Sequence, residues 1–201
     1  MTENGEPREI REIEATLSPY YVRALYMNTL ILGGAKSGKS LFAETLAIQS
    51  GKKLVYIATA QAGDNEMKQR ILLHQQRRAE QNVVWLNIEE PTALSKVIKQ
   101  YSTNNRLILI DCLTLWLSNL LFSLNEKQRQ MEIDALLECL PSCQADMFFV
   151  SNETGLGIVP MNQLSRQFID LSGSLHQQIA QVSDRVIMTI AGLPLVLKGS
   201  L

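Results

Sequence analysis

The eight residues Gly33-Gly34-Ala35-Lys36-Ser37-Gly38-Lys39-Ser40 constrain this chain more than any other part of it. They stand between an apolar run, NTLIL, and a segment of helical period, LFAETLAIQ. The pattern G-x-x-x-x-G-K-[ST] between a strand and a helix is a phosphate cradle. Its glycines let successive backbone N–H groups point inward, and the helix N-terminus adds the positive end of its dipole. In that frame Lys39 reaches the β- and γ-phosphates of a nucleotide and Ser40 offers a hydroxyl to Mg2+. A glycine-rich turn that merely joined strand to helix would need neither the lysine nor the serine.

A cradle of this kind calls for a sheet covered by helices, and the rest of the chain meets that demand. Short apolar runs predict strands at 28–33, 53–59, 82–88, 106–111, 145–151, 184–190 and 193–198. Between them, helical periodicity predicts helices at about 39–50, 64–80, 91–101, 113–139 with a break, and 161–181. The continuous runs LILI and FFV suit strands buried on both faces, as in a parallel sheet. Only Ala191-Gly192 separates the last two strands, too few residues for a crossover, so they form an edge hairpin. The expected fold class is α/β, a mostly parallel, RecA-like P-loop sheet flanked by helices with a C-terminal edge hairpin. Residues 1–26 differ in character. They are polar and then sparsely amphipathic through Ile10, Ile13 and Leu17, and read as an N-terminal extension, flexible or helical, before a nucleotide-binding domain at 27–201.

Composition narrows the function. With 201 residues, 46% of them hydrophobic, the chain can bury a sizeable core. Nineteen basic against 20 acidic side chains leave a net charge of -1, so no global basic field serves nucleic acid or an anionic membrane, and any phosphate is held locally. Cys112, Cys139 and Cys143 form no CxxC pair, which argues for a reducing compartment. Pro141 lies between Cys139 and Cys143 and no histidine is near, so a metal site there is disfavoured. The opening MTENGEPREIREIE lacks the apolar stretch of a signal peptide, and no run of eighteen apolar residues follows. The expected location is the cytoplasm, without membrane insertion.

Two further positions carry chemistry. The apolar strand RLILID delivers Asp111 at its C-terminal tip, where P-loop proteins place the carboxylate that holds Mg2+; the alternative is that Asp111 caps the helix that follows. His74 lies in EMKQRILLHQQRR, with Arg70, His74 and Arg77 at i, i+4 and i+7 on one helical face and Arg78 beside them. Guanidiniums suited to phosphate oxygens thus bracket an imidazole and favour its neutral, nucleophilic form. Attack of that ring on an α-phosphate gives a covalent nucleotidyl intermediate. Without those neighbours the same histidine reads as a solvated surface residue.

In order and spacing, several blocks resemble the bifunctional adenosylcobinamide kinase / adenosylcobinamide-phosphate guanylyltransferase family. They are LILGGAKSGKS, YIATAQ, D-x-EM-x-x-RI-x-x-H-x-x-RR, W-x-x-x-E from Trp85 to Glu89, DCLTLWLSNLL, SNETGLGIVP, R-x-F-x-D-x-x-G-x-x-x-Q and GLPLVLK, and they extend from about Met27 to Lys198. The resemblance implies two reactions: phosphorylation of the aminopropanol hydroxyl of adenosylcobinamide by ATP or GTP, then transfer of GMP from GTP to adenosylcobinamide phosphate. It implies a guanylylated histidine at His74, and nucleotide contacts on Gly33–Ser40, on Ala60, Gln61 and Ala62, on Gln75, Gln76, Arg77 and Arg78, and on Glu89 and Asp111. A carboxylate at Glu89 can accept from both N1–H and N2–H2 of guanine, which adenine cannot offer; its alternative is an exposed strand-end residue. The loop Ser151–Pro160 follows a buried strand and belongs at the ligand crevice, with Asn152, Glu153, Arg166 and Asp170 as candidates for corrinoid or metal contacts. Each of these four equally suits a turn or helix cap. His176 reads as a packing or interface residue. The resemblance also implies a homo-oligomer, a trimer being one candidate assembly. Lys36 stands where many members carry arginine, and residues 1–26 precede the usual first strand. Two rival classes remain: a P-loop kinase with no covalent step, and a nucleotide-dependent switch with no second substrate.

Overall fold

In the computed structural model, residues 26–61, 69, 72–73, 76–80 and 83–201 are described. The elements are β1 (Asn28–Gly33), α1 (Lys39–Gln49), β2 (Lys53–Ala58), β3 (Trp85–Glu89), α2 (Leu94–Tyr101), β4 (Arg106–Asp111), α3 (Leu113–Ser123), α4 (Glu126–Cys139), β5 (Asp146–Asn152), α5 (Gln163–Val182), β6 (Arg185–Ile190) and β7 (Leu193–Lys198). Among the described residues one sheet forms, in the order β3-β2-β4-β5-β1-β6-β7. All neighbours run parallel except β6 and β7.

The two-residue period of the strands divides the core between the two faces of this sheet. Leu30, Leu32, Val55, Ile57, Ile108, Ile110, Met147 and Phe149 pack with residues of α2 to α5, including Trp116, Leu120, Leu136 and Ile179. The alternate positions Ile31, Leu54, Tyr56, Leu107, Leu109, Phe148 and Val150 pack with Ala43 and Ala47 of α1. Burial on both faces is what the unbroken apolar runs demanded. The edge hairpin is also present, closed by a turn in which Ala191 and Gly192 both have positive φ, 52° and 80°. That is the type I′ geometry whose twist matches the strands it joins.

Some boundaries differ from expectation for local reasons. The strand expected at 82–88 occupies 85–89, because pairing with β2 opens at Leu54↔Trp85. The helix expected from 91 starts at Leu94. The Glu90 carboxylate accepts the N–H groups of Thr92 and Ala93 at 2.9 and 2.7 Å, making a turn out of residues that would have been its first. The break in 113–139 falls at Leu124-Asn125, where Asn125 and Gln128 form a reciprocal capping box for α4. Of the helix expected at 64–80, residues 69, 72–73 and 76–79 are helical and the others lie outside the described residues. Residues 1–25 lie outside them too, while Tyr26 is buried, so packing already includes the residue before Met27. No helix among the described residues is long and apolar enough to cross a membrane.

Candidate active site at the carboxyl ends of the strands

The cradle joins β1 to α1 by tight backbone geometry. Ser37 N–H donates to the Gly34 carbonyl at 3.2 Å, and Gly38, at φ 91°, supplies the left-handed residue that starts α1. From the other side the β6–β7 turn braces the loop: Gly192 N–H donates to the Ser37 carbonyl at 2.9 Å. Lys39 folds back over the loop, its Nζ donating to the Gly34 carbonyl at 3.0 Å. The side chain is buried, and this pushes its pKa below the ordinary lysine range, while the nearby charge of Asp111 pushes the other way. Lys39 is thus a buried cation held by a backbone carbonyl of its own loop rather than turned to solvent.

Strand order decides what faces the cradle. β5 lies between β1 and β4, and Asp111 is level with Val150 and, through it, with Ile31, so it stands two strand spacings, about 10 Å, from β1. Tyr56 of β2 donates its hydroxyl to Asp111 Oδ2 at 3.0 Å. Cys112 begins α3 without a side-chain cap, and the carboxylate of Asp111 is turned to Tyr56 rather than to the helix end. Burial and the Asp111 charge raise the Tyr56 pKa well above its usual value, which keeps the hydroxyl a donor. Burial pushes the Cys112 thiol up to about 12, so it is not a nucleophile at neutral pH. Cys139 and Cys143 are buried as well, each thiol donating to a backbone carbonyl.

The tip of β5 fills the space between cradle and Asp111. Glu153 N–H donates to the Gly33 carbonyl at 3.1 Å, and Asn152 N–H to Thr114 Oγ1 at 2.7 Å. Ser151 is buried and hydrogen-bonded both to Thr114, at 3.0 Å, and to His176 Nε2, at 2.7 Å. His176 Nδ1 lies 3.9 Å from Glu153 Oε2. Burial lowers the His176 pKa, against the opposing pull of Glu153, so His176 is a packing residue that supports the β5 tip. Arg166 donates to the carbonyls of Pro160 and Met161, closing its own loop, and Asp170 is exposed on α5.

The other expected contacts fall on the β2–β3 side. Ala60 is half-buried and Gln61 exposed just beyond β2, and Glu89 is exposed at the end of β3, paired in register with Ala58. Gln76 is exposed. Arg77 and Arg78 are not turned to solvent: both reach Glu44 of α1, and Arg78 also stacks on Tyr56. Ala62, Arg70, His74 and Gln75 lie outside the described residues. Sequence reasoning passed over Glu44, Tyr56, Thr59 and Asn119. Glu44 had a signal, an acidic residue beside Ala43 and Ala47 on the inward stripe of a helix. Thr59 had none, since its hydroxyl accepts from Cys112 N–H and donates to the Cys112 carbonyl across 53 residues. Asn119 ties the Thr59 and Pro91 carbonyls together in the same way.

Comparison with known proteins gives the family. Residues 29–197 match the family described as cobinamide kinase / cobinamide phosphate guanyltransferase. The chain is 51% identical over 173 residues to a bifunctional adenosylcobalamin biosynthesis protein, CobP, of Pseudomonas aeruginosa, an alignment covering 86% of this chain and 98% of that protein. It is 35% identical over 185 residues to the bifunctional adenosylcobalamin biosynthesis protein CobU of Escherichia coli, covering 86% of this chain and all of the other. Among solved structures, one from Pyrococcus horikoshii OT3 superposes with a TM-score of 0.53 at 12% identity, over 92% of this chain and 94% of that one, a likeness of fold alone.

Proposed function

Because the chain belongs to the cobinamide kinase / cobinamide phosphate guanyltransferase family, we propose that it phosphorylates adenosylcobinamide with ATP or GTP and then transfers GMP from GTP to the phosphorylated product. The products of the second step are adenosylcobinamide-GDP and pyrophosphate. The observation that carries this reading is the buried Lys39 of the cradle standing with Asp111 at one end of the sheet.

Phosphoryl transfer needs positioning and charge neutralisation more than covalent chemistry. The backbone N–H groups of Gly33–Ser40 and the Lys39 ammonium supply both for the β- and γ-phosphates. Ser40 and Asp111 offer hard oxygen donors, the set that suits Mg2+ shared with substrate phosphates. When bound, that ion neutralises charge on the transferred group. Asn152 and Glu153, at the β5 tip, and Arg166 and Asp170 of α5 meet the corrinoid.

The second reaction runs through His74. Its neutral imidazole attacks the α-phosphorus of GTP, a P–N bond forms as the P–O bond to the β-phosphate breaks, and pyrophosphate leaves. A phosphate oxygen of adenosylcobinamide phosphate then attacks the same phosphorus, the P–N bond breaks and the imidazole is restored. Glu89 reads the guanine edge, and Ala60–Ala62 with Gln75–Arg78 line the nucleotide. We carry over from the family a homo-oligomer in the cytoplasm.

The test is exposure of the chain to GTP and Mg2+ without corrinoid. GMP should appear on His74 as an acid-labile, base-stable phosphoramidate, with release of pyrophosphate. His74→Asn should lose the label and the guanylyl transfer while still phosphorylating, and Lys39→Ala should lose both reactions. A label on His176 or on a lysine, or near-parental formation of adenosylcobinamide-GDP by His74→Asn, would overturn the covalent reading.

A further inference from the structure

The carboxylate at the tip of β4 is held from behind by a tyrosine of the neighbouring strand. Two-residue alternation along β4 puts Asp111 on the sheet face of Leu107 and Leu109, the face packed by Ala43 and Ala47 of α1. Ser40 stands in the first turn of that helix, so the two oxygen donors of the cradle lie on one side of the sheet. The χ2 torsion of an aspartate is broad and roughly two-fold, so the side chain by itself does not choose which oxygen it presents. Here Tyr56, only 4% exposed, donates its hydroxyl to Oδ2 at 3.0 Å. Among the described residues the carboxylate has no second hydrogen bond and no ion pair, so Oδ1 is the oxygen left over.

The tyrosine is itself fixed by contact. Tyr56 is level with Leu109 and Ala58 with Asp111, so the ring reaches forward along a diagonal to β4. Trp85 of β3 stands edge-on to it, with centroids 6.0 Å apart and planes at 87°. The Arg78 guanidinium lies 3.6 Å from its centre. Mg2+ demands near-ideal octahedral geometry and tolerates little error in a ligand oxygen, and a carboxylate that serves a metal is oriented by hydrogen bonds behind it. Resting on the reading of Asp111 as a Mg2+ carboxylate, we infer that Tyr56 is its positioning residue: the hydroxyl engages Oδ2 and leaves Oδ1 to the ion, directly or through one of the ion's waters. Tyr56 acts only through Asp111.

The experiment measures Mn2+ binding to the full chain, by loss of the paramagnetic resonance signal of the free ion, with the β,γ-imido analogue of GTP saturating. Tyr56→Phe keeps the ring, and with it the contacts to Trp85 and Arg78, and removes only the hydroxyl. It should weaken Mn2+ binding about tenfold, since partners behind a metal ligand are worth about 10- to 100-fold in metal affinity. The analogue without metal, measured by calorimetry in the presence of a chelator, should bind within about twofold of the parent. Asp111→Asn should weaken Mn2+ at least as much, and adding Tyr56→Phe to it should change nothing further, because the tyrosine acts through the carboxylate. Parental Mn2+ affinity in Tyr56→Phe overturns the inference. So does equal weakening of the analogue with and without metal, which would make Tyr56 a prop for the whole crevice, and so does a further loss in the double variant. If Asp111→Asn binds Mn2+ as the parent does, the reading of Asp111 falls and this inference with it, whereas a weakened Asp111→Asn beside an unaffected Tyr56→Phe overturns the role of the tyrosine alone.

Discussion

Substituting Gly33 with alanine would place a Cβ 2.5 Å from Ser37 Oγ and 2.6 Å from the Thr189 carbonyl oxygen. Ordinary contact begins near 3.4 Å, and the two obstacles differ in kind. The serine hydroxyl can rotate away. The Thr189 oxygen belongs to β6, which pairs with β1 with Gly33 opposite Thr189, so it can retreat only if the strands part at the cradle. Overpacking of this sort costs about 1–3 kcal/mol. For a chain of this size each kcal/mol lowers Tm by about 2–4 °C, giving a fall of roughly 2–12 °C for Gly33→Ala. The control is Gly34→Ala, where a Cβ meets nothing within 4 Å and the backbone is not left-handed. Its Tm should stay within about 2 °C of the parent, although it lies in the cradle and its nucleotide binding is free to change. Thermal denaturation of the three chains at one pH, followed by circular dichroism, reads the difference. Equal Tm values for Gly33→Ala and the parent would refute the close approach of β1 and β6 behind the cradle.

Two more outcomes follow from the site. Burial holds the Lys39 pKa below the ordinary lysine range, and nucleotide phosphates favour its ammonium form, so binding should take up a proton at alkaline pH and affinity should fall as pH rises through the lowered pKa. Calorimetry in buffers of different ionisation enthalpy checks the sign, and proton release would refute it. Glu89→Gln should weaken GTP use relative to ATP use by about 1–3 kcal/mol, the cost of leaving a polar base edge unpaired. Kinetics of ATP-driven phosphorylation and of GMP transfer from GTP measure this, and equal losses for the two would leave Glu89 a strand-end residue.

The cradle, the strands that flank it and the edge hairpin could be read from the chain itself because local chemistry suffices for each. A glycine–lysine–serine loop between an apolar strand and a helix has one strong physical purpose, and a two-residue link cannot hold a crossover helix. The family could be read for a related reason, that eight separate blocks keep their order and spacing from Met27 to Lys198. Boundaries at β3 and α2 were less legible, since they depend on where β2 begins and on the Glu90 carboxylate taking two backbone N–H groups. That the Asp111 carboxylate is not spent on capping the helix after it could not be read from the chain, because its hydrogen bond comes from Tyr56, 55 residues away. The same holds for the arginines after His74. Helical spacing puts them on a face, but only packing against α1 brings Arg77 to Glu44 across 33 residues. Periodicity and propensity describe a residue's neighbours along the chain, whereas the partner of a buried charge is set by which strands lie side by side, and that order is decided by burying the whole sheet at once.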